Sequence, residues 1–357
     1  MAEFKSEAYQ AKGDDVFVST GLSKVACHSD TSQFDDGREI ALLHYVYNQP
    51  TLETKLRNNP SAVLSIIDEY ARKEKYLMNV GEDKGRIVTD LISESKPQTM
   101  IELGGYIGYS TILFADAVRK AGGKHYYSFE RNPEFAAVIS SLVDLAGLGD
   151  MVKVIVGSSD AGIKRLAKEG TLKKIDFMFL DHYKPAYTTD LKLCEELGLV
   201  GVGSVYAADN CIEPGNPPYV EYVNASVEEK KAMASGEKRA GGAWDERMAK
   251  SAIAQYNRRE GEGKQDESVK GVPELVYKSE MVHSFEPTGE KVSRDFACGW
   301  GGIANVRFRM VCKSRDVLAT RGSRHCRVDW ISFASKALFN CSSSSELSSS
   351  KHRYPSC

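Results

Sequence analysis

From residue 100 onward, short apolar runs alternate with stretches whose apolar positions recur every three or four residues. The runs at 100–103, 125–129, 152–156, 175–180 and 202–207 predict five strands. The intervening pattern predicts helices through 112–118 and across 135–146, with further helical stretches between the later strands. Strands that alternate with helices build a parallel sheet covered on both faces, which is an α/β, doubly wound architecture. Ahead of this region, Asn59-Pro60 is a cap-plus-first-turn signal. Val63, Leu64, Ile67, Tyr70 and Ala71 follow it at helical spacing. A second helix carries Ile87, Val88, Leu91 and Ile92 on one face and ends before Pro97.

The flanks read differently. Residues 1–35 are polar and aperiodic, the pattern of a disordered arm. Residues 224–272 hold ten basic and nine acidic side chains with interrupting glycines, which predicts a charged surface insertion. Part of it, around Trp244, Met248, Ile253 and Tyr256, has helical spacing. Residues 275–285 return to a strand-like pattern. The core domain is therefore expected over 36–291.

Composition adds bounds. With 42% hydrophobic residues in 357, the chain can bury one large core or two modest ones. No run of about 18 apolar residues spans a bilayer, and no secretion signal precedes the first helices. These features predict a cytoplasmic protein with no membrane partner, a monomer or weak homodimer. The net charge is −2, unevenly spread: residues 292–357 carry eleven basic against four acidic side chains, +7, which leaves −9 for residues 1–291. An acidic body without a basic aromatic face argues against nucleic acid. The basic tail also holds five of the eight cysteines and a serine run, unlike the rest of the chain. It is either a tail for an acidic partner or non-native coding sequence entered at Val292-Ser293.

Candidate chemistry gathers at the predicted strand ends. Glu102-Leu103-Gly104-Gly105-Tyr106-Ile107-Gly108-Tyr109-Ser110 follows the first strand and opens a helix; its glycines admit a ligand to the backbone. A dinucleotide fingerprint would place glycine where Tyr106 and Tyr109 stand, so the turn is not of that type. Glu130 ends the second strand, and a carboxylate there can accept both hydroxyls of a ribose. A glycine turn plus this acid implies a nucleoside ligand, with S-adenosylmethionine the natural candidate. Asp181, Asp209 and Asn210 end two further strands and are hard oxygen donors suited to Mg²⁺. Lys184 lies three residues beyond Asp181. A neighbouring divalent cation lowers a lysine pKa, which makes Lys184 a candidate general base.

These residues resemble the catechol O-methyltransferase family, cation-dependent enzymes that use S-adenosylmethionine. The resemblance runs from about residue 36 to 285 with a break at 224–272. It is carried by Met78-Asn79-Val80-Gly81, the turn from Glu102 to Ser110, Val156-Gly157-Ser158-Ser159, the run from Leu180 to Lys184, and Ala208-Asp209-Asn210 followed by Pro214-Gly215. It implies a Rossmann-like fold with a mostly parallel seven-stranded sheet, whose final antiparallel strand fits between two others.

Position by position, the resemblance implies Val80, Glu102, Gly104, Tyr106 and Ser110 around the methionine part of the cofactor and Glu130 on the ribose. Ser159, His182 and Tyr183 would border the adenine. Asp181, Asp209 and Asn210 would hold Mg²⁺, Lys184 would take the substrate proton, and Met78, Asn210 and Pro214 would contact a small-molecule catechol. A late glutamate of the family falls one position from Glu286. Tyr76 and Tyr183 stand where vertebrate members have tryptophan, and Asp160 where they have glutamine. The expected final strand would begin after Gly289, where the basic tail starts; residues 305–313 alternate and could substitute. The function implied is Mg²⁺-dependent methyl transfer to a catechol hydroxyl. The alternatives are a related enzyme acting on another vicinal diphenol, or an inactive cofactor-binding product of the abnormal C-terminus.

Overall fold

The computed structural model describes residues 36–213, 215–237, 268–282, 284 and 302–304. The chain divides into two compact units, 1–313 and 314–357, and every described residue falls in the first. Helix α1 (Arg38–Tyr47), a π-helical turn (Leu52–Leu56), α2 (Pro60–Lys73) and α3 (Gly81–Ser95) precede the sheet. Then β1 (Thr99–Leu103), α4 (Tyr109–Lys120), β2 (His125–Glu130), α5 (Pro133–Leu145), β3 (Val152–Val156), α6 (Ser159–Lys168) and β4 (Phe177–Leu180) alternate. A 3₁₀ turn (Lys184–Ala186), α7 (Tyr187–Glu196), β5 (Val205–Glu213), α8 (Pro217–Asn224) and α9 (Val227–Ser235) follow, and β6 (Gly302–Ala304) closes the sequence of elements.

The strand order is β3-β2-β1-β4-β5-β6. The first five strands are parallel and β6 is antiparallel to β5. The order reverses between β1 and β4, where a doubly wound sheet opens its ligand crevice.

Period-two alternation explains why the strands read as unbroken apolar runs. Met100, Phe177, Phe179 and Ala207 pack into one layer with α1–α5. Ile101, Leu103, Met178, Leu180, Tyr206 and Ala208 pack into the other layer, with residues of α6–α9. Both faces are covered, so neither face of a strand needs to be polar. Asn59 caps α2 through the Ala62 amide, with Pro60 at the first helical position, as its sequence predicts.

The α/β class and the Rossmann-like order agree with the expectation; three details differ. The described residues form six strands rather than seven, and β6 lies at the sheet edge instead of between two strands. Its residues come from the basic segment after Lys291, so that segment contributes to the same sheet. The proposed substitute at 305–313 lies outside the described residues.

The strand-like pattern of 275–285 forms no strand among its described positions. Tyr277 instead packs its ring edge-on against Tyr206 and donates its hydroxyl to Glu195, and the carbonyl of Leu275 accepts from Lys230. Side-chain anchoring replaces a ladder because β5 is already paired on both sides.

The two described ends of the 224–272 stretch are also anchored. Ser226 and Glu229 form a reciprocal cap on α9, and Lys230 and Met233 are buried. The amides of Lys270, Gly271 and Val272 donate to Glu196 and Glu195 at the end of α7. The part between, with its helical spacing around Trp244, lies outside the described residues.

Candidate active site

The site begins at the turn after β1. Gly104 has φ +94°, and a Cβ there would lie 2.4 Å from the carbonyl oxygen of Asp181. Only glycine lets the ends of β1 and β4 approach this closely. Tyr106 also has positive φ, +49°, costly for a residue with a Cβ. The conformation is held by Glu130, whose Oε2 accepts from the amides of Tyr106 (2.8 Å) and Gly105 (3.3 Å). Its Oε1 accepts from Asn132 N at 2.8 Å. Glu130 therefore shapes the turn.

Glu102 is fully buried beneath this turn. Its Oε2 accepts from Thr111 (2.5 Å) and Ser128 (2.8 Å). Burial pushes its carboxyl up to about 7, against the lowering effect of Ser110, Thr111 and Ser128. Its Oε1 lacks a partner of good hydrogen-bond geometry, as do both polar atoms of buried Asn79 beside Val80 and Nδ1 of His182. Buried polar atoms without partners are costly, so each fits contact with a polar ligand.

The acidic end lies one strand away. Leu180 pairs with Ala208 at the last parallel register position, so Asp181 and Asp209 come next, side by side on one face. Lys184 donates to Oδ1 of Asp181 at 2.9 Å, and buried Lys84 of α3 lies 3.3 and 3.4 Å from the oxygens of Asp209. Burial raises the Asp181 carboxyl most, Lys184 opposes this, and Asp209 adds to it; 26% of the Asp181 side-chain surface nonetheless stays open. Asn210 has φ +60° and donates its amide to Oδ1 of Asp209 at 2.5 Å. Two carboxylates and one amide are a hard-oxygen donor set that fits Mg²⁺. Among the described residues no group of three His, Cys, Asp or Glu competes as a metal site.

Helix α7 links this end to the region expected to border adenine. Ser159 donates to Asp190, and His182 Nε2 lies 2.9 Å from the same carboxylate oxygen. The His182 ring stacks on Tyr187 at 4.9 Å, and the Tyr187 hydroxyl meets Lys184 Nζ at 2.7 Å. Although Ser, His and Asp meet here, both Ser159 and His182 bond the same oxygen of Asp190, so the trio does not form a nucleophilic relay.

Val80 is buried at the start of α3 and Met78 is half-buried just before it. Ser110 is buried in α4 and Tyr183 is half-buried before the 3₁₀ turn. Pro214 and Glu286 lie outside the described residues.

Sequence reasoning missed four participants. Lys84 and Tyr187 attach to the acidic end. Glu39 of α1 is buried and accepts from the Tyr106 hydroxyl at 2.8 Å. Beside it, Arg38 donates to the carbonyl of Tyr76 at 2.7 Å and holds the Asp36 carboxyl down at about 2. Asp190 completes the four. For Lys84, Glu39 and Asp190 the only sequence signal was a charged residue within an amphipathic helix, which is ambiguous alone, and Tyr187 carried none.

A sequence profile of the O-methyltransferase family matches residues 57–255. The chain belongs to the O-methyltransferase family. Among curated relatives, catechol O-methyltransferase of Bos taurus is 38% identical over 178 residues, covering 50% of this chain and 65% of that protein. Catechol O-methyltransferase of Sus scrofa is 40% identical over 146 residues, 41% of this chain and 77% of that protein. The chain thus spans just under two thirds of the bovine relative's length. Among solved structures, the O-methyltransferase from Bacillus cereus in complex with SAH aligns with a TM-score of 0.43 at 15% identity, covering 77% of this chain and 97% of that one. The O-methyltransferase match includes every described residue of the candidate site except those of α1. Among the described residues, no helix is long and apolar enough to cross a membrane.

Proposed function

We propose that this O-methyltransferase family member transfers a methyl group from S-adenosylmethionine to a hydroxyl of a catechol, with Mg²⁺ held at the acidic end of the sheet. The observation that carries the proposal is the adjacency of Asp181 and Asp209, with Lys184 bonded to the first. When bound, S-adenosylmethionine supplies the methyl group and Mg²⁺ supplies Lewis acidity to a vicinal diol.

The chain's own groups do the rest. The turn from Glu102 to Ser110, with Val80 and Asn79 beside it, would hold the methionine end of the cofactor. Glu102 offers a buried carboxylate to a cationic ligand, and its raised pKa means that ligand would draw it into the ionised form. Glu130 would meet the ribose, and Ser159, His182 and Tyr183 the adenine. Asp181, Asp209 and Asn210 would hold the cation. Lys184 would accept the proton of the reacting hydroxyl at Nζ. Its burial, and the hydroxyl of Tyr187, keep that amine in one place. Met78, Asn210 and Pro214 would wall the substrate, and Glu286 would meet its second hydroxyl. A small, dry pocket favours in-line transfer because sulfonium and oxygen lose charge together.

Transfer of labelled methyl from S-adenosylmethionine to catechol, in Mg²⁺ and in EDTA, tests the reading. Product in Mg²⁺ that vanishes in EDTA is expected. A folded protein that methylates no diphenol in either condition would overturn it. Lys184→Ala is expected to abolish most turnover while still binding the cofactor.

A further inference from the structure

Helix α3 brings to the acidic end a cation that the strand-end motifs do not announce. Lys84 is only 2% exposed, and its Nζ lies 3.3 and 3.4 Å from the two oxygens of Asp209, itself 3% exposed. The two residues are 125 positions apart. Beside them, Lys184 pairs with Asp181 at 2.9 Å. Adjacent carboxylates repel, and each here has an ammonium of its own.

We propose that Lys84 is a resident counter-cation of the candidate metal centre, holding the Asp209 side chain in place without metal and weakening the site's grip on the cation. The inference rests on the proposed function for the identity of the cation; the salt bridge itself does not. A buried ammonium is costly unless paired, and removing either partner leaves the other charge uncompensated. The same charge repels an incoming divalent ion through a low-dielectric interior. A lysine that merely orients Asp209 by hydrogen bonding predicts the opposite sign, because losing an oriented ligand weakens metal binding.

Lys84→Met and Lys84→Gln separate these roles, since glutamine keeps a donor and loses the charge. Thermal melts in EDTA and in Mg²⁺, with direct calorimetric titration of Mn²⁺, supply the readouts. Both variants are expected to melt lower in EDTA by about 5 °C or more. Mg²⁺ should recover most of that loss, and the Mn²⁺ dissociation constant should tighten by about tenfold. If neither variant folds, Lys84→Met combined with Asp209→Asn should melt above Asp209→Asn alone, because the single variant strands the buried Lys84 charge and the double variant removes both. Unchanged melts in EDTA, Mn²⁺ affinity that is unchanged or weaker, or strictly additive losses in the double variant would overturn the inference. A wild-type chain that binds no divalent cation would instead sink the metal in the proposed function. Wild-type binding matched by both variants would sink the role of Lys84 alone.

Discussion

Tyr187 anchors Lys184: its hydroxyl accepts from Nζ at 2.7 Å and donates to the carbonyl of Leu180 at 2.8 Å, at the very end of β4. The backbone of one strand thus fixes the amine that pairs with Asp181 at the same strand's end. Tyr187→Phe keeps the ring that stacks on His182 but frees the amine to wander. Methyl transfer should fall about ten- to a hundredfold in kcat, while calorimetry shows unaltered affinity for a cofactor analogue. Undiminished kcat would show that Lys184 needs no such anchor.

Glu102 predicts a pH dependence. Its carboxyl stands near 7 in the folded chain against an ordinary 4.5. A raised folded value means the folded state holds the proton more tightly. Its stabilising contribution is complete below about pH 4.5 and is lost as pH rises through 7. The ligand-free protein should therefore lose stability across that window, on the order of 3 kcal/mol from this group. Urea titrations of wild type and Glu102→Gln at pH 4.5 and 7.5 isolate the effect by difference. Parallel curves would show that Glu102 does not titrate as argued.

The contact between Gly104 and Asp181 predicts intolerance of a single methyl. In Gly104→Ala the new Cβ would press on the Asp181 carbonyl while φ stays in the left-handed region. Together these should cost about 3 kcal/mol or more. The same displacement should shift Asp181 and weaken Mn²⁺ binding, so denaturation and metal titration ought to change together. Gly170→Ala, also at positive φ (+70°) but facing open space, serves as control; equal losses in both would point to backbone strain alone.

Glu39 predicts a role for α1 beyond packing. It holds the phenol of Tyr106, a residue of strained backbone within the glycine turn. Glu39→Leu should loosen that turn and weaken binding of S-adenosylhomocysteine by about tenfold, a loss near 1.4 kcal/mol. Tyr106→Phe should do the same, and the double variant should lose little more than either single one. Full additivity, measured calorimetrically, would show that the two side chains act apart.

Much of this molecule was legible along the chain because the relevant signals are local. A parallel strand buried on both faces must be an apolar run, so β1, β2 and β4 show themselves within a few residues of their observed ends. Asp181 stands just past the end of β4, as its apolar run predicts, whereas β5 runs from Val205 to Glu213 and so carries Asp209 and Asn210 within the strand, at the point where its pairing with β4 stops. Gly104 is required by a turn only a few residues long. The fate of residues 275–282 was not legible, because an apolar alternation does not say whether a neighbouring edge is open to pair. Nor was the edge strand Gly302–Ala304, three residues that carry no pattern of their own.

The amino-acid sequence by itself determined the alternating strand and helix order, the glycine turn and the acidic strand ends, since each depends on the periodicity and backbone freedom of contiguous residues. Tertiary structure alone decided what each group does there. It set Lys84 on Asp209 across 125 positions and Glu39 on Tyr106 across 67. It also turned Glu130, at the end of β2, onto the amides of the glycine turn that follows β1. Such pairings arise when separate helices are pressed onto a common sheet edge, where a buried charge must find a partner, and no local pattern encodes which partner that is.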